Sequence, residues 1–527
     1  MSARQPTSPK PFPIKRPLVR IRRPSPEKLR EIARQQFMSL TDEEVEGIGL
    51  ICDEFLGAID QLDRIPEPVQ PASYPDRDPG RRTDPSEDPY NVFITKCLVR
   101  GAQSGPLLGK RVGLKDNVSV RGVRMTNASR LGEHYIPNID ATVVTRLLDA
   151  GAVIIGKLNM DDFSFSGTSE TSFFGAVRNP VNPDYSPGGS SSGSGAAVAA
   201  GAVDIAIGVD QGGSARTPAS CCGVVSIKPT HGLVSSYGIA YMDYTIDHVC
   251  PIARSVEEVA LTLQVIAGFD EKDPEWVRSD VHAERYHDLL VKSDLDISKL
   301  KVGVITECLS WKGADPEIKE CFGVATKKLE ELGAIVSEIS IPTISLTPAI
   351  RMATLVHSTD AMFDSCGEGY WHGGEYNPQW NEFVGKAKKT MADYLPPLLK
   401  STLILGRYLR SEYFSVYHSK AMNLRNILFE EVEQALGSYD VLVTPTNIVK
   451  PPILKDELQF SEVSRRGFML SSNTQAFNMT GHPAITVPCG MRGGLPVGLQ
   501  LIAKHWNESL LFKVARAFEK SFDWKKI

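Results

Sequence analysis

Short apolar runs that end in turns alternate with stretches of helical spacing through most of this chain, and that rhythm constrains the fold more than any other feature. Residues 110–115 read as a strand, 141–150 as a helix stopped by Gly151, and 152–157 as the next strand. The order returns with a helix at about 193–200, a strand at 205–209, a helix from 214, a strand at 301–305 and a helix at 316–332. Such alternation predicts an α/β domain with a central, mixed and largely parallel sheet covered by helices. Residues 441–446 and 484–488 return to strand character, so the C-terminal segment is expected to complete the same sheet. The stretch 310–435 is helix-rich and is expected to cover one sheet edge and shape a substrate entrance.

Ahead of this domain the pattern differs. Residues 1–35 hold ten Lys or Arg against two Glu and several prolines, which reads as a solvated basic tail extending to about residue 40. Thr41-Asp-Glu-Glu44 matches a capping box, and Ile48, Ile51, Phe55 and Ile59 recur at helical spacing, predicting a helix over about 42–63. Its apolar face is a candidate homodimer surface. Seven prolines between 65 and 90 read as a linker, which makes the expected segments 1–40, 41–89 and 90–527.

With 527 residues the chain is long enough to bury one large core or two ordinary ones. A net charge of −5 provides no global attraction to nucleic acid or an anionic membrane, and no apolar run approaches the roughly 20 residues a membrane span needs. Nine cysteines without Cys-x-x-Cys spacing fit a reducing, cytoplasmic setting. No His-Glu-x-x-His spacing and no Gly-Lys-Ser/Thr after the glycines are present, so neither a metal nor a nucleotide cofactor is expected.

The chemistry concentrates between 186 and 217. Glycines there let amide N–H groups converge on one point, and the interleaved serines add hydroxyls, a combination suited to holding an oxyanion. A serine nucleophile needs a base. None of the ten histidines sits in a Gly-x-Ser-x-Gly elbow, and His231 and His248 read as structural. Lys115, closing an apolar strand, is the remaining option, because desolvation at a sheet end makes the neutral amine accessible. Cys221 and Cys222 read as buried packing residues.

Lys115-Asp-Asn-Val, Gly188-Gly-Ser190-Ser191 and Asp210-Gln-Gly-Gly-Ser214-Ala-Arg-Thr-Pro-Ala219 closely resemble the signature of the amidase signature family. The resemblance runs from about 90 to 522 and includes Thr245-Ile-Asp-His248, Thr444-Pro-Thr446 and Thr480-Gly-His-Pro483. It implies the amidase-signature fold, a nucleophile at Ser214, a bridging Ser190 preceded by a cis peptide bond, and Lys115 as base. It further implies an oxyanion site made by main-chain N–H groups around Gln211, Gly212, Gly213 and Ser214, with Ser164 lining the pocket. The reaction implied is hydrolysis of a small-molecule amide through an acyl-enzyme, closest to broad-range amidases that act after nitrile hydratases. Two alternatives share the fold: a component of a tRNA-dependent amidotransferase, and an inactive scaffold. Asp210 and Arg216 bracket the nucleophile and are expected to pair. Ser192 stands where the family pattern has a glycine, which would strain the loop if that position needed positive φ.

Overall fold

The computed structural model describes residues 21–65, 72–274, 283–455 and 459–527. The first 20 residues of the basic tail and residues 66–71 of the proline-rich stretch lie outside them. The chain divides into two compact units, 1–72 and 73–527.

In the first unit, Pro26–Gln35 and Asp42–Ile59 are helices. The earlier one falls inside the stretch read as a tail. Ser25 caps it through Lys28 N–H, and Pro26 suits a first turn whose N–H has no intrahelical partner. The later one begins at the expected capping box, with Thr41 and Glu44 bonded reciprocally. It stops at Ile59, short of 63, and Leu62–Arg64 follows as a 3₁₀ turn. Ile51 and Phe55 of its apolar face are exposed.

The second unit is built on one twelve-stranded sheet. Its strands are β1 (Arg77–Arg82), β2 (Phe93–Arg100), β3 (Arg111–Lys115), β4 (Val153–Leu158), β5 (Ile205–Asp210) and β6 (Val225–Lys228). They continue with β7 (His248–Ala253), β8 (Lys301–Ile305), β9 (Ile335–Ile339), β10 (Val441–Pro445), β11 (Ala484–Arg492) and β12 (Leu495–Ile502). The spatial order is β1-β2-β4-β3-β5-β7-β6-β11-β12-β10-β8-β9. The sheet is mixed, as expected, yet only β4/β3, β3/β5, β10/β8 and β8/β9 are parallel. The other neighbouring pairs are antiparallel: β1 and β2 at one edge, with β2 against β4, then β7 between β5 and β6, and the β11–β12 hairpin inserted between β6 and β10. A strand–helix–strand rhythm reports crossovers and is blind to such insertions.

β1 lies within the stretch read as a linker. Pro79 is tolerated there because β1 is an edge strand, with a register shift between Asp78 and Arg81.

Successive residues of a strand face opposite sides. Along β5, Ile205, Ile207 and Val209 join one apolar cluster with the helices Thr142–Asp149 and Val256–Ile266, while Ala206 joins another with Ser192–Ala199 and Arg216–Cys222. Both faces are therefore covered, which is why β5 is a continuous buried apolar run. β3 and β5 run side by side in the same direction, so Lys115 and Asp210 end at the same edge. The crevice beyond the carboxyl ends of parallel strands is where open α/β sheets expose ligand-binding loops.

Candidate active site

Lys115 is fully buried at the end of β3. Its Nζ lies 2.8 Å from Ser190 Oγ and 3.0 Å from the carbonyl oxygen of Val209. Burial pulls its pKa down to about 8, opposed by the charges of Asp161, Asp247 and Asp210. None of these three carboxylates forms an ion pair with it among the described residues, whereas the neighbouring buried Lys157 does pair with Asp116, at 3.1 Å. A lysine without such a partner can give up its proton near neutrality. Burial also pushes the carboxyls of Asp161 and Asp247 up to about 7.

The Gly189–Ser190 peptide bond is cis. Ser190 precedes the helix Ser192–Ala199, and Ser191 N–H donates to the Ser214 carbonyl at 3.0 Å, tying the two serine segments together. Ser192 is the first helical residue and has no positive φ, so a serine at that position brings no backbone strain. Gly195 permits close approach: a Cβ there would stand 2.8 Å from the Pro218 ring of the adjacent helix.

Ser214 opens into a cavity of about 270 Å³ that Ser164, Gly189, Gln211 and Gly212 also line. The amides of Gln211, Gly212 and Ser214 have no acceptor among the described residues. Gly213 differs from the expectation. Its N–H donates to Asp210 Oδ1 at 2.7 Å, and it does not line the cavity. Its φ of +127° instead turns the chain, and a Cβ would stand 2.0 Å from Thr474 Oγ1.

The turn is held from below. Asp210 accepts from the amides of Gly213, Ala215 and Arg216 and forms a fully buried ion pair with Arg216, whose Nη2 and Nε lie 3.0 Å from its oxygens. Burial alone would raise the Asp210 pKa, but Arg216 and the Asn478 amide overcome it and hold the carboxyl well below the usual range. Arg216 also reaches the Thr474 carbonyl, Gln500 Oε1 and Asn478 Oδ1. Arg216→Met is expected to cost about 3–5 kcal/mol, because it leaves a buried carboxylate unpaired. An unchanged denaturation midpoint would contradict this.

The histidines and cysteines stand apart. His231 and His248 stack edge to face at 5.0 Å, bond to the carbonyls of Tyr244 and Ile246, and do not line the cavity. Burial pushes the Cys221 thiol up to about 12 and Cys222 well above its ordinary value, so both stay protonated.

Sequence reasoning missed Arg351. It sits in the helix Thr347–Asp364, is 8% exposed, and lines the cavity with Nε 3.4 Å from where a Gly212 Cβ would stand. Its Nη1 has no hydrogen-bond partner among the described residues. The remaining wall is mostly apolar, with Met242, Leu355, Val356, Leu398, Leu405 and Phe468, and among the described residues no acidic side chain lines it. No local motif marks Arg351, since the helices of 347–364 and 397–413 reach the cavity only through tertiary packing.

The Amidase family model matches residues 94–512. A glutamyl-tRNA(Gln) amidotransferase subunit from Haloarcula marismortui is 40% identical over 81% of this chain and 99% of its own. The solved glutamyl-tRNA(Gln) amidotransferase subunit from Thermotoga maritima superimposes with a TM-score of 0.66 at 31% identity, over 82% of this chain and 88% of that one. 6-Aminohexanoate cyclic dimer hydrolase, solved with its substrate, reaches 0.70 at 26% identity over 80% and 86%. With that span of matched sequence and a shared fold, the chain belongs to the Amidase family.

Proposed function

We propose that the chain cleaves a carboxamide through an acyl-enzyme on Ser214, with Ser190 passing protons and Lys115 as the base. The observation that carries this reading is the amine of Lys115, 2.8 Å from Ser190 Oγ and without a carboxylate partner among the described residues, beneath the cavity into which Ser214 opens. Neutral Lys115 takes the Ser190 proton as Ser190 takes that of Ser214, and Ser214 Oγ attacks the carbonyl carbon. The amides of Gln211, Gly212 and Ser214 receive the developing oxyanion. Ser190 then returns a proton to the departing nitrogen, and water cleaves the ester by the same route.

The cavity supports a substrate class as well. It presents one guanidinium and, among the described residues, no acid, which suits an acyl group bearing a carboxylate but no ammonium. Arg351→Met is expected to raise KM for a dicarboxylic half-amide about 10- to 100-fold, the loss of one charged hydrogen bond, while leaving KM for propionamide nearly unchanged. Equal effects on both substrates would remove Arg351 from substrate recognition.

Two finer readings compete. Sequence similarity favours a glutamyl-tRNA(Gln) amidotransferase component over the nitrile-associated amidases that the motifs resemble, and it brings protein partners with it. The lack of an acid among the described cavity-lining residues favours a free-standing hydrolase of linear amides, since glutamine carries an ammonium to be neutralised. The purified chain alone decides between them. Turnover of linear amides with little glutaminase activity supports the hydrolase, and glutamine cleavage that requires a co-purifying tRNA-binding partner supports the amidotransferase.

A further inference from the structure

Away from the cavity, three side chains from separate segments converge: Glu433 of the helix Val416–Ser438, His482 just before β11, and His505 just after β12. Glu433 Oε1 lies 2.7 Å from His482 Nε2 and 3.4 Å from His505 Nδ1, and the two rings are 4.1 Å apart between centroids. His482 is fully buried, which disfavours its imidazolium form.

The hydrogen bonds define the His505 tautomer. Its Nε2 lies 3.1 Å from the Thr480 carbonyl oxygen, which only accepts, so Nε2 carries the proton. In the neutral ring Nδ1 then holds a lone pair that faces a carboxylate oxygen. No lysine or arginine pairs with Glu433 among the described residues to relieve that opposition. A cation held among the three atoms would take the lone pairs of Glu433 Oε1, His505 Nδ1 and His482 Nε2, with the His482 proton moved to Nδ1, which has no hydrogen-bond partner among the described residues.

We infer that Glu433 Oε1, His482 Nε2 and His505 Nδ1 bind Zn²⁺, with water at the remaining position. Two imidazoles and one carboxylate are a known zinc donor set. Bond lengths of about 2.0–2.2 Å place neighbouring donors of a tetrahedral shell roughly 3.3 Å apart; Glu433 Oε1 lies 2.7 and 3.4 Å from the two ring nitrogens, and the donor atoms of the three residues all lie within 4.8 Å of one another. The Thr480 carbonyl orients His505 as an outer-shell acceptor does at such centres. None of the three residues lines the cavity. The metal therefore braces: it ties the helix Val416–Ser438 to the turn after Asn478, beside the existing bond from Arg425 to the Met479 carbonyl. Asn478, together with Arg216, holds Asp210 beneath the nucleophile turn.

The test uses the full chain, stripped with chelator and dialysed against Zn²⁺, with bound metal read by elemental analysis. About one Zn²⁺ per chain is expected in the unaltered protein and close to none in a Glu433→Gln, His505→Gln double variant that keeps buried His482. Circular dichroism confirms that the double variant is folded. Zn²⁺ should raise the melting temperature of the unaltered protein alone, and Co²⁺ should give the visible absorption of a four-coordinate site. Uptake well below one equivalent, or equal uptake by the double variant, overturns the inference. So does a pH-dependent Glu433–His505 pair that persists in metal-free buffer while Zn²⁺ fails to bind.

Discussion

Ser214→Ala is expected to abolish amide turnover, with kcat falling by about four to six orders of magnitude, as when a serine hydrolase loses its nucleophile. The fold should survive, because Ser214 is only partly buried, while the turn around it is held by Asp210 and Arg216. The measurement is steady-state hydrolysis together with mass spectrometry of quenched reactions. A covalent acyl adduct should form on the unaltered protein and be missing from the variant. Residual turnover above about one per cent, or an adduct on any other side chain, would move the nucleophile elsewhere.

Lys115→Met should lower kcat/KM by roughly 10²–10⁴-fold, the span that a positioned base contributes. Only the neutral amine can accept a proton, so activity of the unaltered protein should rise with pH through about 8 and level off above it. The same burial has a cost for stability. The folded pKa lies below that of the unfolded chain, so from about 8 up to the ordinary lysine value the unfolded state binds the extra proton and stability rises with pH. Below that window the buried ammonium is a fixed penalty. Lys115→Met should therefore lose that share of its activity yet be no less stable at neutral pH, which thermal unfolding of the two proteins would check. A pH–rate profile that stays flat through 8, or a large loss of melting temperature in the variant, would assign Lys115 a structural place instead.

Much of this centre is legible in the sequence. The strand ending at Lys115, the glycine turn at 211–213 and the pairing of Asp210 with Arg216 are local along the chain, and short spacing limits what the backbone can do between them. The glycine turn also shows where local reading stops. Gly213 looks like an oxyanion donor in the sequence, but its amide is taken by Asp210, because that carboxylate also collects the amides of Ala215 and Arg216. Ser192 looks out of place in the pattern and proves to be an ordinary helix start.

The amino-acid sequence determined the α/β class and the order of strands, helices and glycine turns that carry the proposed reactive groups, because strand and helix periodicity and turn chemistry are properties of neighbouring residues, while the proposed roles of Ser190 and Ser214 came from the motifs that resemble the family. Tertiary structure alone decided the direction of the strands in the sheet, the buried clasp of Arg216 to Thr474 and Asn478 some 260 positions away, and the placing of Arg351 above Gly212. Those outcomes depend on which surfaces exclude water from each other once the helices pack, and a side chain's pattern along the chain does not encode its neighbours across a cavity.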